Sequence, residues 1–250
     1  MSLAFEYARQ RTFRSWSALL DLLPELRGRT VLDLGSGIGD PASDLSARGA
    51  RVIGIDGDPQ LVEVARARGI ANAEFIHGDL HRLELEPSLR VQGIWSSFTA
   101  AYFPALPSLL ARFAPHLEVE GFVALVDIDD LFGHEPLPAD VRAIFDAFAE
   151  RALAEGRYDF YAGRKLEGHL REAGLAVRHV STHDDLELSF SGPARADVLE
   201  AWRLRLERMR RLQEFAGARF AALRDAFLEC LASPDHSSRA RVYFCIAIKE

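Results

Sequence analysis

The residues whose chemistry is easiest to read stand at the ends of short apolar runs. Val31-Leu32-Asp33-Leu34 runs into Gly35-Ser36-Gly37-Ile38-Gly39-Asp40. Arg51 to Ile55 ends in Asp56-Gly57, Ala73 to Ile76 leads to Gly78-Asp79-Leu80, and Val91 to Ser96 runs into Ser97. Glycine has no Cβ, so the backbone at Gly35 and Gly37 can approach a ligand closely. A carboxylate about twenty residues beyond such a turn is placed to accept from both hydroxyls of a ribose. Each hydrogen bond to a charged group is worth about 1.5–3 kcal/mol. Asp33, Asp56 and Asp79 together would repel a diphosphate, and the glycines follow GxGxG, not the dinucleotide spacing GxGxxG. The set suits a nucleoside whose other groups are cationic.

These residues need a parallel sheet to bring them together, and the rest of the chain supplies the pattern for one. The short apolar strands at Thr30–Leu34, 51–55, 73–76, 91–96, 121–128, 175–181 and 241–248 alternate with helical stretches. Alternation of this kind predicts an α/β fold with helices on both faces of the sheet. Arg241 to Ile248 is apolar on both faces and must lie inside the sheet. Three segments fall outside this core: a helical N-terminal stretch from Phe5 to Leu23, an insertion from Phe132 to Arg164 with a helix from Ala139 to Leu153, and Asp184 to Ser238. The last carries apolar stripes at Val198, Trp202, Leu206, Met209 and at Phe220, Leu223, Phe227, Leu231, which is helical spacing. The three segments read as lid pieces over one domain spanning residues 1–250.

The segments VLDLGSGIGD, VIGIDGDPQLVEVARARG and AEFIHGDL resemble the successive motifs of class I S-adenosylmethionine-dependent methyltransferases of the small-molecule type. The resemblance covers about Thr30 to Ile128. It implies a seven-stranded, mostly parallel sheet in the order 3-2-1-4-5-7-6 with the last strand antiparallel. It implies that Gly35 and Gly37 line the methionine moiety, that Asp33 orients its ammonium directly or through water, and that Asp56 holds the ribose beside Gly57. Asp79 would accept from the adenine amino group, the Leu80 amide would donate to the ring, and the backbone at Ser96 or Ser97 would face the methionyl end. Ser36 stands where many relatives have Cys or Thr. Arg11, one turn beyond Tyr7 on the N-terminal helix, is expected to close over the methionyl carboxylate.

Methyl transfer from a sulfonium is an in-line displacement, and alignment of the reactants can supply about 7–11 kcal/mol of the barrier. A base is needed only if the acceptor must lose a proton. His134, in the segment after the fifth strand, is the candidate base. Tyr102, Tyr161, Arg164 and His183 are candidates to contact a small organic acceptor. Asp127, Asp129 and Asp130 lack a fourth-strand acidic partner and read as a solvated strand end, so no metal is expected. The arginines from 203 to 211 alternate with Glu200 and Glu207 and read as a solvated helix face.

A net charge of −7 argues against a protein that mainly neutralises phosphates, so no nucleic-acid partner is expected. Only Cys230 and Cys245 are present, which excludes a disulfide framework or a cysteine-built zinc site. With no basic, apolar leader and no membrane-length apolar run, the reading is a cytoplasmic bacterial protein that does not enter membranes, monomeric or homodimeric. The alternatives are a nicotinamide-dependent oxidoreductase and a non-catalytic S-adenosylmethionine-binding module. Asp56→Ala is expected to weaken S-adenosylmethionine binding about tenfold or more while the protein stays folded. Titration calorimetry on the folded variant checks this, and unchanged affinity would remove Asp56 from the site.

Overall fold

The computed structural model describes residues 3–14 and 16–250. Seven strands build the main sheet: β1 (Thr30–Leu34), β2 (Arg51–Asp56), β3 (Ala73–His77), β4 (Val91–Ser97), β5 (Leu117–Asp129), β7 (Ala176–His183) and β9 (Arg241–Ile248). Their order is β3-β2-β1-β4-β5-β9-β7. Pairing is parallel from β3 to β5, and β9 runs antiparallel to both β5 and β7. Counted along these seven strands, this is the expected order 3-2-1-4-5-7-6. A two-stranded pair, β6 (His134–Glu135) with β8 (Ser237–Ser238), stands apart from the sheet.

Successive strand residues point to opposite faces, and the sequence fills both faces with apolar side chains. Val31, Val52, Trp95, Phe122 and Phe244 pack into one core. Their neighbours Leu32, Ile53, Ile94, Val123 and Cys245 pack into another. On the second face lie α5 (Leu106–Phe113) and α7 (Leu166–Glu172). On the first lie α2 (Trp16–Leu20), α3 (Asp40–Ala47) and α4 (Pro59–Ala67). Asp58 caps α4, its carboxylate accepting from the Gln60 and Leu61 amides. The spacing before α3 predicts Asp40 as a cap, but Gly39 holds that position. Arg11 and Arg68 instead donate to the Asp40 carboxylate.

The segments outside the sheet extend the first core. They form α1 (Leu3–Arg11), α6 (Ala139–Ala154), α8 (Ala196–Arg208), α9 (Arg210–Ala216) and α10 (Phe220–Ala232). Phe145, Phe148, Trp202, Leu206 and Phe227 share one cluster with Trp95 and Phe122 of the sheet. Phe132 stacks on Phe145 at 4.3 Å and meets Phe227 edge-on. The β6–β8 pair joins the two insertions, so they make one helical layer.

Buried ion pairs fasten α1 and the turn after it to this layer. Glu6, fully buried, pairs with Arg9 and with Arg208 of α8. The Arg14 guanidinium, 6% exposed, donates to Asp185 and Glu187 at 2.9 Å. Arg205 reaches Glu187 from the other side at 2.6 Å. Burial alone would raise the Glu187 pKa, but Arg205 and Arg14 hold it at about 2. A depressed carboxyl pKa contributes stability that is complete above the ordinary value of 4.5 and is lost as pH falls toward about 2. Arg14→Met leaves Asp185 and Glu187 undercompensated, and urea unfolding at pH 7 should show a loss of about 3 kcal/mol. The stability of Glu187→Gln should fall less steeply than that of the wild type as pH drops below about 4.5.

Candidate active site

The carboxyl ends of β1, β2, β3 and β4 meet where the strand order reverses between β1 and β4, the place where open α/β sheets bind ligands. The glycine loop follows β1 directly. The Gly35 and Ser36 amides donate to the Ile55 carbonyl at 2.8 and 3.0 Å, which folds the loop over β2. Gly35 has φ +79°, and a Cβ there would lie 2.0 Å from Thr99 Oγ1. Gly37 has φ +55°, and a Cβ there would meet the Tyr7 ring at 3.5 Å. The Asp56 carboxylate accepts from the Gly37 amide on Oδ2 at 2.8 Å and from the Asp58 amide on Oδ1 at 2.9 Å. Burial raises its pKa, and these two amides act against the rise.

A cavity of about 590 Å³ opens over this loop. Gly35, Ser36, Gly37, Asp56, Gly57, Asp79, Leu80, Ser97 and Arg11 all line it. Two expected residues lie beneath its surface. Ser96 Oγ donates to the Leu34 carbonyl and ties β4 to β1. Asp33 is fully buried, and neither carboxylate oxygen has a hydrogen-bond partner among the described residues. Burial, with Asp56 and Asp40 adding to it, pushes the Asp33 pKa up to about 8. Arg11 reaches the cavity with its guanidinium already donating to Asp40 and Asp44.

A second cavity of about 440 Å³ shares Leu3, Tyr7, Gln10 and Tyr102 with the first. The two spaces are therefore neighbours across one wall of side chains. The second is lined by Leu131, Phe148, Phe160 and Leu212 and carries Arg157, Arg205, Arg208, Arg210 and Arg211. Tyr102, half-exposed on this wall, meets the Tyr158 ring edge-on at 4.8 Å.

Several expected site residues fall elsewhere. His134 is fully buried inside the helical layer, between Trp202, Phe190 and Phe227. Its Nδ1 lies 2.9 Å from His236 Nε2, and it lines neither cavity. Burial, then the neighbouring His236 and Arg142, lower its pKa to about 3, so the ring is neutral at pH 7. A base must reach the acceptor, and this imidazole faces protein on every side. Arg164 stands over the Tyr161 ring and donates to Asp129 at 2.6 Å, outside both cavities. His183 pairs with Ser181 Oγ on β7, also outside them. Asp127, Asp129 and Asp130 are buried, which corrects the solvated strand end. Asp127 accepts from the Ala101 and Ile128 amides and secures the turn after β4. The arginine run is also divided: Arg203 pairs with Glu200 and Glu207 at the surface, while Arg205 and Arg208 turn to the second cavity. Among the described residues, no group of three or more His, Cys, Asp or Glu side chains is arranged to hold a metal.

Sequence reasoning passed over Arg14, Gln10, Phe98 and Thr99, which line the first cavity. Arg14 stacks over Phe98 at 4.9 Å, and Phe98 adopts φ +52°. Tyr7, Gln10 and Arg14 follow helical spacing, a signal that was available.

Residues 31–121 match the family model of a methyltransferase domain. Nocamycin O-methyltransferase of Saccharothrix syringae is 32% identical over 204 residues, 74% of this chain and 71% of that protein. This chain belongs to the class I S-adenosylmethionine-dependent methyltransferases. Trans-aconitate 2-methyltransferase of Deinococcus radiodurans is 32% identical over 123 residues, 48% of this chain and 45% of that protein. An N-methyltransferase of Haemonchus contortus, solved with phosphomonomethylethanolamine and S-adenosylhomocysteine, superimposes with a TM-score of 0.62 at 20% identity. It covers 98% of this chain, which spans 56% of that one, and the likeness is one of fold.

The burial of His134 generates a prediction for this methyltransferase. A buried histidine with a lowered pKa leaves stability complete above the ordinary 6.5 and removes it as pH falls toward about 3. His134→Leu should keep wild-type affinity for S-adenosylmethionine and show a shallower loss of stability between pH 6.5 and about 4. Calorimetry and urea unfolding check the two halves, and weakened cofactor binding by the folded variant would return His134 to the site.

Proposed function

We propose that the protein transfers the methyl group of S-adenosylmethionine to a small organic acceptor held in the second cavity. The observation that carries this reading is the shared wall. A cleft with nucleoside-binding features adjoins a second cavity, lined by aromatic side chains and arginines, through Tyr7 and Tyr102. The second space, bordered by residues of α6, α8 and α9, measures about 440 Å³, a volume suited to a small molecule.

The residues present fit the cofactor. The orphaned Asp33 carboxylate behind the glycine loop is unstable as an anion without a cation nearby. An ammonium and a sulfonium would supply one. Asp56, held by two amides with lone pairs left for the cleft, suits the ribose hydroxyls. Asp79 and Leu80 line the same cavity, where they would serve the adenine edge, and Ser97 with the glycine loop would face the methionyl end. S-adenosylmethionine supplies a methyl group already activated by the positive sulfur. The protein's own contribution is alignment. The Tyr7–Tyr102 wall sets the approach of the acceptor.

Two measurements test this reading. Labelled methyl should pass from S-adenosylmethionine to at least one member of a small-metabolite panel, and Tyr102→Ala should lower turnover about tenfold or more with cofactor affinity kept. No transfer to any acceptor, with cofactor bound, would favour the binding module. Cofactor affinity should also rise from about pH 5.5 to about pH 7, where the methionyl ammonium is still charged, because the bound cation ionises Asp33. Asp33→Asn should weaken binding and flatten that dependence.

A further inference from the structure

We propose that the acceptor is a carboxylic acid with an apolar body, methylated on its carboxylate oxygen to give a methyl ester. This rests on the methyltransferase reading above and names the acceptor class of the same site.

The first observation is the character of the walls. Neither cavity is lined by a histidine, lysine, cysteine or glutamate among the described residues. The aspartates at the first cavity belong to the loop, the ribose side and the adenine side. An acceptor that must lose a proton therefore meets no evident base. A carboxylate is already deprotonated at neutral pH. One of its oxygens forms the new O–CH3 bond as the CH3–S bond of the sulfonium breaks, the electron pair staying on sulfur. No proton moves, and an anion and a cation give two less charged products.

The second observation is charge. The second cavity carries five arginines and no acidic side chain. Three of the five are compensated from behind: Arg205 by Glu187, Arg208 by Glu6 and Arg157 by Glu155. Arg210 and Arg211, exposed at its edge, have no carboxylate partner among the described residues. Uncompensated cations at the entrance draw anions in and do so less at high salt. Deeper in, a compensated Arg205 orients a carboxylate without quenching it as a nucleophile.

The third observation lies at the wall between the cavities. Tyr7, Tyr102 and Tyr158 converge there with Arg205 close enough to lower the pKa of each phenol against the rise that burial causes. None of the three hydroxyls has a hydrogen-bond partner among the described residues. Phenols kept protonated are donors, and an acceptor-only carboxylate is the group that uses several donors at once. Phe148, Phe160, Leu131 and Leu212 supply an apolar lining for the rest of the molecule.

The test uses the full chain with methyl-labelled S-adenosylmethionine and a panel of medium-chain fatty, arylalkanoic and aromatic carboxylic acids. Matching amines, alcohols and phenols of the same skeletons run in parallel. The expected product releases its label as volatile methanol in alkali, as an ester does. Arg210→Gln/Arg211→Gln, both surface positions, should raise KM for the acid about tenfold with kcat kept, and should reduce the salt dependence of kcat/KM. Calorimetry of the best acid against the protein without cofactor should show the same weakening. Alkali-stable label on an amine, alcohol or phenol overturns the proposal and leaves the methyltransferase reading intact. Label on no member of either set overturns both. A double variant with unchanged KM, unchanged acid binding and unchanged salt dependence removes the arginines from acceptor recognition and overturns the charge argument.

Discussion

The Glu187 carboxylate is fully buried and receives one arginine from the N-terminal segment and another from α8. A lone buried charge costs several kcal/mol, so Arg14, Glu187 and Arg205 can be accommodated only together. Asp185 adds a second acceptor to Arg14, and Glu6 with Arg208 repeats the arrangement one turn away. These pairs fix where the N-terminal helix sits relative to the helical layer. Both cavities depend on that placement, because Leu3, Tyr7 and Gln10 of α1 belong to the wall between them. The same pairs separate the arginines of the second cavity: Arg205 and Arg208 are matched by buried acids, and Arg210 and Arg211 beyond them are exposed.

At the sheet, a different electrostatic arrangement prevails. Asp56 serves the fold and the cleft at once, since the amides that seat its carboxylate belong to the glycine loop and the α4 entry. Asp33 has no such amides and carries a raised pKa. Burial raises the pKa of both, but two amides act against the rise at Asp56 and none does at Asp33. The contrast gives the cleft a preference for ligands that combine neutral hydroxyls with positive charge.

His134 and the aspartates after β5 show how sequence position misleads when the chain departs from the sheet. Position after the fifth strand suggested a base near the methyl donor for His134 and a solvated strand end for the aspartates. The chain turns at Asp130, with φ +55°, and carries His134 into the aromatic interior of the helical layer. There it pairs with His236, 102 residues away. The aspartates are covered because the loop before α7 folds back over β5, where the Asp130 amide donates to the Phe160 carbonyl.

The strand pattern and the residues at the strand ends were legible in the sequence because they depend on local rules, while the sheet order followed from the family resemblance. A parallel strand buried on both faces reads as a continuous apolar run, and a glycine loop with a carboxylate about twenty residues on reflects fixed strand and helix lengths. Gly35, Asp56, Asp79 and Ser97 therefore reached one cleft as the spacing implied. The second cavity obeys no such rule. Its wall draws on α1, the turn after β4, the loop at 157–160 and the junction of α8 and α9, which sequence separates by up to two hundred residues. Whether Arg205 faced solvent or a cavity depended on whether a buried acid such as Glu187 stood behind it. Helical periodicity ranks the faces of one helix by polarity, and an arginine compensated by a distant acid looks the same on that scale as one in water. Sequence thus determined the sheet and the cleft it carries, while the placement of buried charge in three dimensions decided the chamber beside it.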